Sequence, residues 1–342
     1  MAPPSPAAAA HGRPVAPAPP VGRPAAFRGD RRPGGGRAVS VVAVPTVGAP
    51  SLGQCLDALH ALKPAPRIVV VASGAAAGID APRGVEVVRS PHRLGFAAAV
   101  NRGLAAAGGA DTVAVLNDDA VPSPGWLTAL EGALAANPRV AAVQGTVLDG
   151  AGRSVDGRGI ALDRYGLPVQ VDRGQTAGAE PSGPVRRLAV SATACVFRTG
   201  ALAAAALPGG EVFDERFGSY HEDLDLGLRL GRLGWESLWV PGAPCHHLGS
   251  ASGARLGWRH PWWLLANRWR ALAGNLRAAA LLHALPRLVR GELRAVRTLG
   301  RTNPRAPLAG LAVAAAWPSL IAAGLARRTP GPRLAALPLE ER

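Results

Sequence analysis

The sequence has almost no lysine and few cysteines, and it lacks two common nucleotide-binding motifs. Lys63 is the only lysine, so arginine supplies nearly all of a formal net charge of +15. The three cysteines, Cys55, Cys195 and Cys245, form no CxxC pair and no zinc-ligand spacing, which suits a reducing compartment. Because neither GxGxxG nor a Walker A motif follows the first apolar run, the sequence does not support a dinucleotide-binding or P-loop fold.

The composition is that of a chain with a sizeable core and a basic surface. The 342 residues are 48% hydrophobic and 18% charged. The arginine excess predicts either a solvated surface or affinity for an anion, such as a nucleotide, a lipid phosphate, a membrane surface or nucleic acid. A nucleic-acid partner is not expected, because no basic stripe with interleaved stacking aromatics lies on a recognisable module.

Four regions differ in composition along the chain. Residues 1–37 are rich in Pro, Ala, Gly and Arg, have no apolar signal-peptide core, and are predicted to be disordered. Residues 38–275 are predicted to form one α/β domain, residues 276–330 a pair of C-terminal helices, and residues 331–342 a tail.

Apolar runs alternate with helical patterns within the predicted domain. The strand-like runs are residues 38–45, 67–73, 84–90 and 111–117, and the helix-like segments between them are residues 51–62 and 95–107. This order, with short connections, predicts an α/β fold with a mostly parallel central sheet. Further strands are predicted at 140–148 and 188–197, and the Gly-rich segment 149–187 is predicted to be a long loop or hairpin region.

The two C-terminal segments have features of membrane-associated helices. Residues 285–301 place leucine and valine on one face and five arginines mostly on the other, a basic amphipathic pattern. Residues 306–326 carry no charge, and twenty-one residues are enough to span a bilayer. Because this segment is Ala-rich and contains Pro318, the pattern favours an interfacial or protein-packed helix over a transmembrane span.

An acidic pair follows the fourth predicted strand. In the stretch LNDDAVPSPGW, Asp118 and Asp119 come where the strand should end. Ligands bind at the carboxyl ends of strands in open α/β sheets, and two carboxylates there suit Mg²⁺ or Mn²⁺ bridging a diphosphate. The alternative is an Asx turn that ends the strand. Without a ligand the two charges repel, which predicts a raised pKa for one of them.

A second acidic cluster begins a helical pattern. Glu222, Asp223 and Asp225 lie in its first turn, where the helix dipole favours acidic residues, and this account fits Asp225 best. A catalytic base needs one carboxylate at the helix start, within reach of an acceptor hydroxyl. His246 and His247 follow the next apolar run. A histidine pair is more often structural, but beside an aspartate cluster it is a candidate metal ligand.

Five segments occur in order over roughly residues 38–275. They are VVAVPTVGAPSLGQCLDAL, HRLGFAAAVNRGLAAAGGADTVAVLNDDAVPSPGWLTAL, FDERFGSYHEDLDLGLRLGRLGW, VPGAPCHHLGSAS and ANRWRALAGNL. Together they resemble glycosyltransferase family 2, in particular its rhamnosyltransferase-like branch; the order and spacing are more specific than any single segment. The resemblance implies a GT-A fold, a nucleotide-diphospho-sugar donor, a bound Mg²⁺ or Mn²⁺, and inverting transfer.

The resemblance also implies roles for particular residues. Asp119, the last residue of a DXD-like motif, is the implied metal ligand, and His247 is implied to bind metal or phosphate. Asp223 is the implied general base, which would deprotonate the acceptor hydroxyl, and Glu222 is the other acid of the catalytic pair. Trp126 is interpreted either as an acceptor-side aromatic or, with equal weight, as a core aromatic.

The implied donor site departs from the family pattern. The donor-binding residues that the resemblance implies are Pro45, Thr46, Ser73, Arg93, Gly95, Asn101, Asn117 and Asp118. Ala72 stands where the family has a carboxylate for the nucleotide, Val47 replaces a tyrosine, and His92 replaces an asparagine. Each loss costs on the order of 1.5–3 kcal/mol of nucleotide binding if it removes a hydrogen bond to a charged group. Asp80 lies nearby in sequence and is predicted to be a loop residue.

Two functions remain open at this point. The resemblance implies an enzyme that moves rhamnose or another hexose to a lipid-linked or polysaccharide acceptor in cell-envelope glycan synthesis. The two C-terminal segments suit peripheral contact with the cytoplasmic face of the plasma membrane. The alternative is a catalytically degenerate relative that binds a glycan or scaffolds a partner. Ala72 and Val47 favour the alternative, whereas Asp119, Glu222, Asp223 and His247 disfavour it.

Overall fold

The structure is a computed structural model that describes residues 40–249 and 257–339, so the segment 1–37 lies outside the described residues. The strands are β1 Val41–Thr46, β2 Arg67–Ser73, β3 Val85–Ser90, β4 Thr112–Leu116, β5 Ala120–Pro122, β6 Val140–Gln144, β7 Val147–Asp149, β8 Val155–Gly157, β9 Ile160–Leu162, β10 Pro168–Gln170, β11 Val185–Arg187, β12 Ala194–Arg198, β13 Glu236–Trp239 and β14 Cys245–His247. The helices are α1 Leu52–Ala61, α2 Phe96–Ala107, α3 Trp126–Ala136, α4 Thr199–Ala205, α5 Glu222–Arg232, α6 Arg259–Asn275, α7 Ala278–Gly300 and α8 Ala306–Ala326.

An eight-stranded sheet in the order β11-β13-β6-β12-β4-β1-β2-β3 forms the centre of the molecule. The four strands β3, β2, β1 and β4 are parallel, and β12 runs antiparallel between β4 and β6. The valine-rich strands β1 and β2 are buried on both faces, as expected of parallel strands covered by helices. Thr46 pairs with Ala72 and Ser73 with Ser90, so the carboxyl ends of β1, β2 and β3 line one edge of the sheet.

Two hydrophobic cores cover the two faces of this sheet. One packs α1 and α3 against it, and the other packs α2, α4 and α5. Trp126 is fully buried in the first core, so the core interpretation is right and the acceptor-side interpretation is wrong. Cys55 and Cys195 are also fully buried, and burial raises the pKa of the Cys55 thiol to about 12. Both cysteines are therefore small core residues, as predicted.

Two predicted strands are shorter than the apolar runs that suggested them. The run 140–148 divides into β6 and β7, and Gly145 between them lies so close to Ala243 that a β-carbon would overlap its carbonyl. Of the run 188–197, only the part from Ala194 is a strand. The segment 149–187 is not a structureless loop: it contains the short strands β8 to β11, and β9 pairs antiparallel with β10.

The C-terminal helices form a third core with α5. Helices α6 and α8 run side by side in the same direction, with the Trp269 and Trp317 rings 4.9 Å apart and Gly324 against Ala273. Small residues on α8 allow this approach. Among the described residues, α8 alone is long and apolar enough to cross a bilayer, with a mean hydropathy of 1.8. Its outer face carries Leu308 and Leu311, each 70% exposed.

Helix α7 has the predicted basic amphipathic character. Its five arginines on the solvent side, counting the residue that follows the helix, are Arg287, Arg290, Arg294, Arg297 and Arg301, and all are exposed. Leu288 is fully buried against the third core, whereas Leu293 is 67% exposed. The predicted boundary after residue 275 falls between α6 and α7, and the division of the chain into domains stays a prediction.

Candidate active site

The turn after β4 holds the first acidic pair. The backbone N–H of Asn117 donates to the backbone carbonyl of Thr193 at 2.9 Å. The backbone N–H of Ala120 donates to the backbone carbonyl of Asn117 at 3.1 Å, which closes the turn. The Thr46 hydroxyl donates to Asp118 Oδ2 at 2.6 Å, so the end of β1 fixes this carboxylate. Burial, and then the charge of Asp119, raises the pKa of Asp118. The prediction that one of the two aspartates has a raised pKa is therefore confirmed, although burial contributes more to the increase than charge repulsion does.

Asp119 is more deeply enclosed than its neighbour. It is 3% exposed, and its Oδ1 lies 3.2 Å from His247 Nε2. Strand β14 places this histidine, since His247 pairs with Ala120 on β5. On the other side of the ring, Nδ1 lies 2.8 Å from Asp156 Oδ2. Burial lowers the pKa of His247, but the two carboxylates raise it by more, to about 9.

Asp156 is a residue that the sequence analysis missed. It lies on β8, inside the segment predicted as a loop or hairpin region, and Arg173 Nη2 lies 3.1 Å from its Oδ1. No local pattern distinguishes it from other aspartates of that segment. Only the pairing of β7 with both β8 and β14 brings it beside His247.

The turn has unpaired oxygen atoms that a cation could use. Asp119 Oδ2 and Asn117 Oδ1 are buried and have no hydrogen-bond partner. Leaving such atoms without a partner costs free energy, and both are the hard oxygen ligands that Mg²⁺ and Mn²⁺ prefer. In the part of the chain that the structure describes, no group of three or more His, Cys, Asp or Glu side chains is arranged to hold a metal ion. These two atoms fit a divalent ion that takes its other ligands from substrate or water.

The second acidic pair begins α5. Asp223 is partly buried, and its carboxylate accepts backbone hydrogen bonds from Leu224 at 2.8 Å and Ala192 at 3.3 Å. Burial raises the pKa of Asp223 to about 6. Glu222 is 5% exposed, and burial followed by the charge of Asp223 raises its pKa well above the usual range. Because the charge on each carboxylate opposes a charge on the other, the pair resists carrying two negative charges at once.

A short segment connects the two acidic pairs. The Thr193 carbonyl accepts from Asn117, while the neighbouring Ala192 amide donates to Asp223. The Ser191 amide donates to Gln144 Oε1 at 2.6 Å, which fixes the segment to the end of β6. Residues 191–193 were predicted as part of a strand, and their position between the two pairs was not anticipated.

The backbone turn that precedes Asp223 is strained. Tyr220 and His221 both have positive φ, 73° and 67°, a conformation that is costly for residues other than glycine. The amide nitrogen of Asn267 lies 2.8–2.9 Å from the carbonyl oxygens of residues 217, 219 and 220, and His221 Nε2 lies 3.1 Å from the Leu264 carbonyl. Helix α6 therefore holds this turn. Asn267 belongs to the segment ANRWRALAGNL, the sequence signal that could have identified it.

Of the implied donor-binding residues, Ser73 and Gly95 also shape the backbone near this edge of the sheet. Ser73 is 1% exposed, and its hydroxyl accepts from the Leu94 amide at 3.3 Å. Gly95 has no room for a side chain, because a β-carbon would lie 2.8 Å from Gly218 Cα. Arg93 is exposed, with no hydrogen-bond or ion-pair partner among residues 40–249 and 257–339. Pro45 is buried within β1.

The structure corrects the assignment of Asn101 to the donor site. Its amide nitrogen donates to the Phe213 carbonyl at 2.7 Å and to Glu215 Oε1 at 3.1 Å, and its amide oxygen accepts from the Phe213 amide at 2.9 Å. The side chain joins α2 to the segment before α5 and uses both of its amide hydrogens there, so it has no free N–H group for a nucleotide. Ala72 is fully buried in the first core, so this position offers a ligand no polar side chain. Asp80 is an exposed loop residue, as predicted.

Comparisons with known proteins give a consistent set of relatives. A family model described as glycosyl transferase family 2 matches residues 41–190. The N-acetylglucosaminyl-diphospho-decaprenol L-rhamnosyltransferase of Mycobacterium tuberculosis is 30% identical over 302 residues, covering 75% of this chain and 94% of the relative. The pre-mycofactocin glycosyltransferase of the same organism is 33% identical over 218 residues, 62% of this chain and 43% of the relative. A solved structure of GalNAc-T7 with UDP, GalNAc and Mn²⁺ superposes with a TM-score of 0.51 at 14% identity, over 70% of this chain and 48% of that chain.

Proposed function

This chain belongs to glycosyl transferase family 2 and has the GT-A fold, and we propose that it is a metal-dependent, inverting glycosyltransferase. It transfers rhamnose or another hexose from a nucleotide-diphospho-sugar to a hydroxyl of a lipid-linked or polysaccharide acceptor. The name of the rhamnosyltransferase relative supports a lipid-linked acceptor. The observation that carries the proposal is the position of the Asp223 carboxylate. It has no arginine partner in the described chain, and hydrogen bonds through residues 191–193 connect it to the Asn117–Asp119 turn.

Asp223 acts as the general base. Its pKa of about 6 leaves it ionised at neutral pH while keeping it basic enough to accept a proton. The carboxylate takes the proton of the acceptor hydroxyl, and the hydroxyl oxygen forms a bond to the anomeric carbon as the bond from that carbon to the diphosphate breaks. Attack from the face opposite the diphosphate inverts the configuration. Burial, and then the charge of Asp223, raise the pKa of Glu222, which opposes a second charge beside the base.

The Asn117–Asp119 turn is the proposed metal and diphosphate site. A bound Mg²⁺ or Mn²⁺ would neutralise charge on the leaving diphosphate. Asp119 Oδ2 and Asn117 Oδ1 would hold the ion, and Thr46 keeps Asp118 in place beside them. His247 orients Asp119 through its 3.2 Å contact. The GalNAc-T7 structure contains UDP and Mn²⁺, the ligand combination that this proposal requires.

The enzyme contacts the cytoplasmic face of the plasma membrane as a peripheral protein. Exposed arginines along α7 would attract anionic lipids, at about 1 kcal/mol for each residue near the surface. Leu308 and Leu311 on α8 supply exposed apolar area. The opposite face of α8 packs against α6, which supports a helix that lies on the membrane rather than one that crosses it.

Calorimetry with dTDP-, UDP- and GDP-linked sugars, with and without Mn²⁺ or Mg²⁺, tests the proposal. Wild type is expected to bind one nucleotide class only with metal, and Asp119→Ala to lose that binding. Asp80→Ala, which removes an exposed loop carboxylate, is the matched control and should bind as wild type does. If folded wild type binds no donor with metal present, the degenerate alternative, favoured by the buried Ala72, replaces this proposal.

A further inference from the structure

A cavity of about 470 Å³ lies between the first residues of α2 and those of α6. Its polar and aromatic lining consists of Arg93, Glu215, Ser219, Trp258, Arg259 and Trp263. This volume is within the range of small-molecule sites, which is roughly 300–1,000 Å³. Trp258, Arg259 and Trp263 have no place in the transfer chemistry described above.

Close backbone packing builds one wall of this cavity. The Ala97 amide donates to the Gly218 carbonyl at 3.1 Å, so the first turn of α2 is attached to the segment before α5. A β-carbon on Gly218 would lie 2.9 Å from Trp263 Cζ2. A larger residue here would therefore displace Trp263, so the position of this cavity wall depends on glycine at residue 218.

The lining has the chemistry of a site for a phosphorylated sugar. Trp258, which is 58% exposed, and Trp263 supply aromatic surface against which a sugar ring can pack. Glu215 and Ser219 supply hydrogen-bonding oxygen atoms for sugar hydroxyls. Arg93 and Arg259 are exposed and have no ion-pair partner in the described chain. Free guanidinium groups bind phosphate in a bidentate manner.

The surroundings of the cavity favour the acceptor over the donor. Ser219 is part of the turn that continues through Tyr220 and His221 to the base, so one wall leads along the backbone to Asp223. Beside Trp258, a β-carbon on Gly257 would be 3.6 Å from Arg305 Nη1, so the side chain that precedes α8 reaches the residue next to this wall.

We propose that this cavity binds the sugar-diphosphate headgroup of a lipid-linked acceptor. Trp258 and Trp263 pack against the sugar, and Arg259 binds the diphosphate together with Arg93, which this proposal moves from the donor site to the acceptor site. The inference rests on the proposed function for the identity of the acceptor. It adds the place where that acceptor binds and the residues that select a diphosphate-linked sugar.

Calorimetry on the full chain tests the inference without requiring turnover. The probe is N-acetylglucosaminyl diphosphate linked to a short, water-soluble prenyl chain, and the donor nucleotide with Mn²⁺ is titrated separately. Trp258→Ala and Arg259→Gln are expected to raise the Kd of the probe about tenfold, as the loss of one charged hydrogen bond or stacking contact predicts. The nucleotide Kd should stay the same. Leu282→Ala and Arg83→Gln, which alter exposed residues away from the cavity, are the matched controls and should bind the probe as wild type does.

Different outcomes separate this inference from the proposed function. Unchanged probe affinity in both variants, no probe binding by wild type, or loss of nucleotide instead of probe would each overturn the inference. Wild type that transfers sugar while both variants keep the acceptor affinity would retain the function and reject the site. Wild type that binds the probe through Trp258 and Arg259 but binds no donor would retain the site and reject the transferase.

Discussion

Asp223 and Asp225 leave the same turn of α5 and enter opposite environments. Asp225 is fully buried, accepts from Asn275 at 2.8 Å, and forms ion pairs with Arg229 and Arg327. Burial raises its pKa, but the two guanidinium groups lower it further, so the carboxylate stays charged. Within residues 40–249 and 257–339, Asp223 accepts only backbone hydrogen bonds, and burial raises its pKa to about 6. The neutralising partners, rather than position on the helix, separate a structural carboxylate from a reactive one.

The Asp225 region also explains why the C-terminal segment stays with the domain. Arg327, just after α8, pairs with both Asp214 and Asp225. Arg333 donates to the carbonyl oxygens of residues 273, 276, 324, 325 and 327. The helix dipole, which was predicted to explain Asp225, therefore contributes less to stabilising this carboxylate than the ion pairs do.

The following predictions test the comparison between Asp223 and Asp225, from the largest expected effect to the smallest.

Removing the charge of Asp223 should abolish most activity and leave the fold intact. Asp223→Asn keeps the shape of the side chain but cannot accept the proton, so kcat should fall by about 10³-fold, within the range for a lost general base. Thermal denaturation should give the wild-type Tm. A variant that retains more than a tenth of wild-type kcat would reject Asp223 as the base.

Asp225→Asn should have the opposite effect: it should lower stability and leave the turnover of folded molecules unchanged. Asp225→Asn leaves Arg229 and Arg327 buried without their charged partner, which should cost roughly 3–5 kcal/mol of unfolding free energy. Urea denaturation measures this loss. The molecules that remain folded should transfer sugar at the wild-type rate. Wild-type stability combined with lost turnover would reverse the two assignments.

Loosening the turn before Asp223 should slow the reaction without weakening donor binding. Asn267→Ala removes the amide that holds Tyr220 and His221 in their strained conformation, which is worth about 1–3 kcal/mol for each residue. We expect kcat to fall about tenfold while KM for the donor stays the same. A change in donor KM with kcat unchanged would show that Asn267 does not position the base.

Acid should unfold the protein through the paired carboxylates. Ion pairs with Arg216 and Arg327 outweigh burial and lower the pKa of Asp214 to about 2. A lowered folded pKa contributes stability above the unfolded value, about 3.9, and this contribution is lost as the pH falls towards 2. The unfolding free energy should therefore drop by on the order of 2 kcal/mol between pH 4 and pH 2 in urea titrations. An increase over this interval would contradict the assignment.

Local patterns predicted much of the fold. The apolar runs gave the parallel strands β1 to β4, because a buried strand needs only its own side chains to be recognised. The charge-free segment 306–326 coincides with α8, and the two acidic pairs lie where strand-end and helix-start patterns indicated. These features depend on neighbours in the sequence, which a single chain displays directly.

The residues that were missed depend on contacts between distant segments. Asp156 is beside His247, 91 positions later, only because β7 pairs with both of their strands. Asn267 reaches a turn about fifty residues earlier. Asn101 was assigned to the donor from a local motif, and Phe213 takes its amide instead. For Asp156 and for the partner of Asn101, no period or motif within one segment contains this information, whereas Asn267 lies in the quoted segment ANRWRALAGNL.

The dependence of kcat/KM on pH for the wild-type enzyme tests the central claim most directly. Asp223 must be ionised to accept a proton, so kcat/KM should fall about tenfold per pH unit below a free-enzyme pKa near 6 and reach a plateau above it. Residual activity of Asp223→Asn should lack this dependence. A wild-type kcat/KM that stays constant from pH 8 down to pH 5 would contradict the assignment of Asp223 as the base.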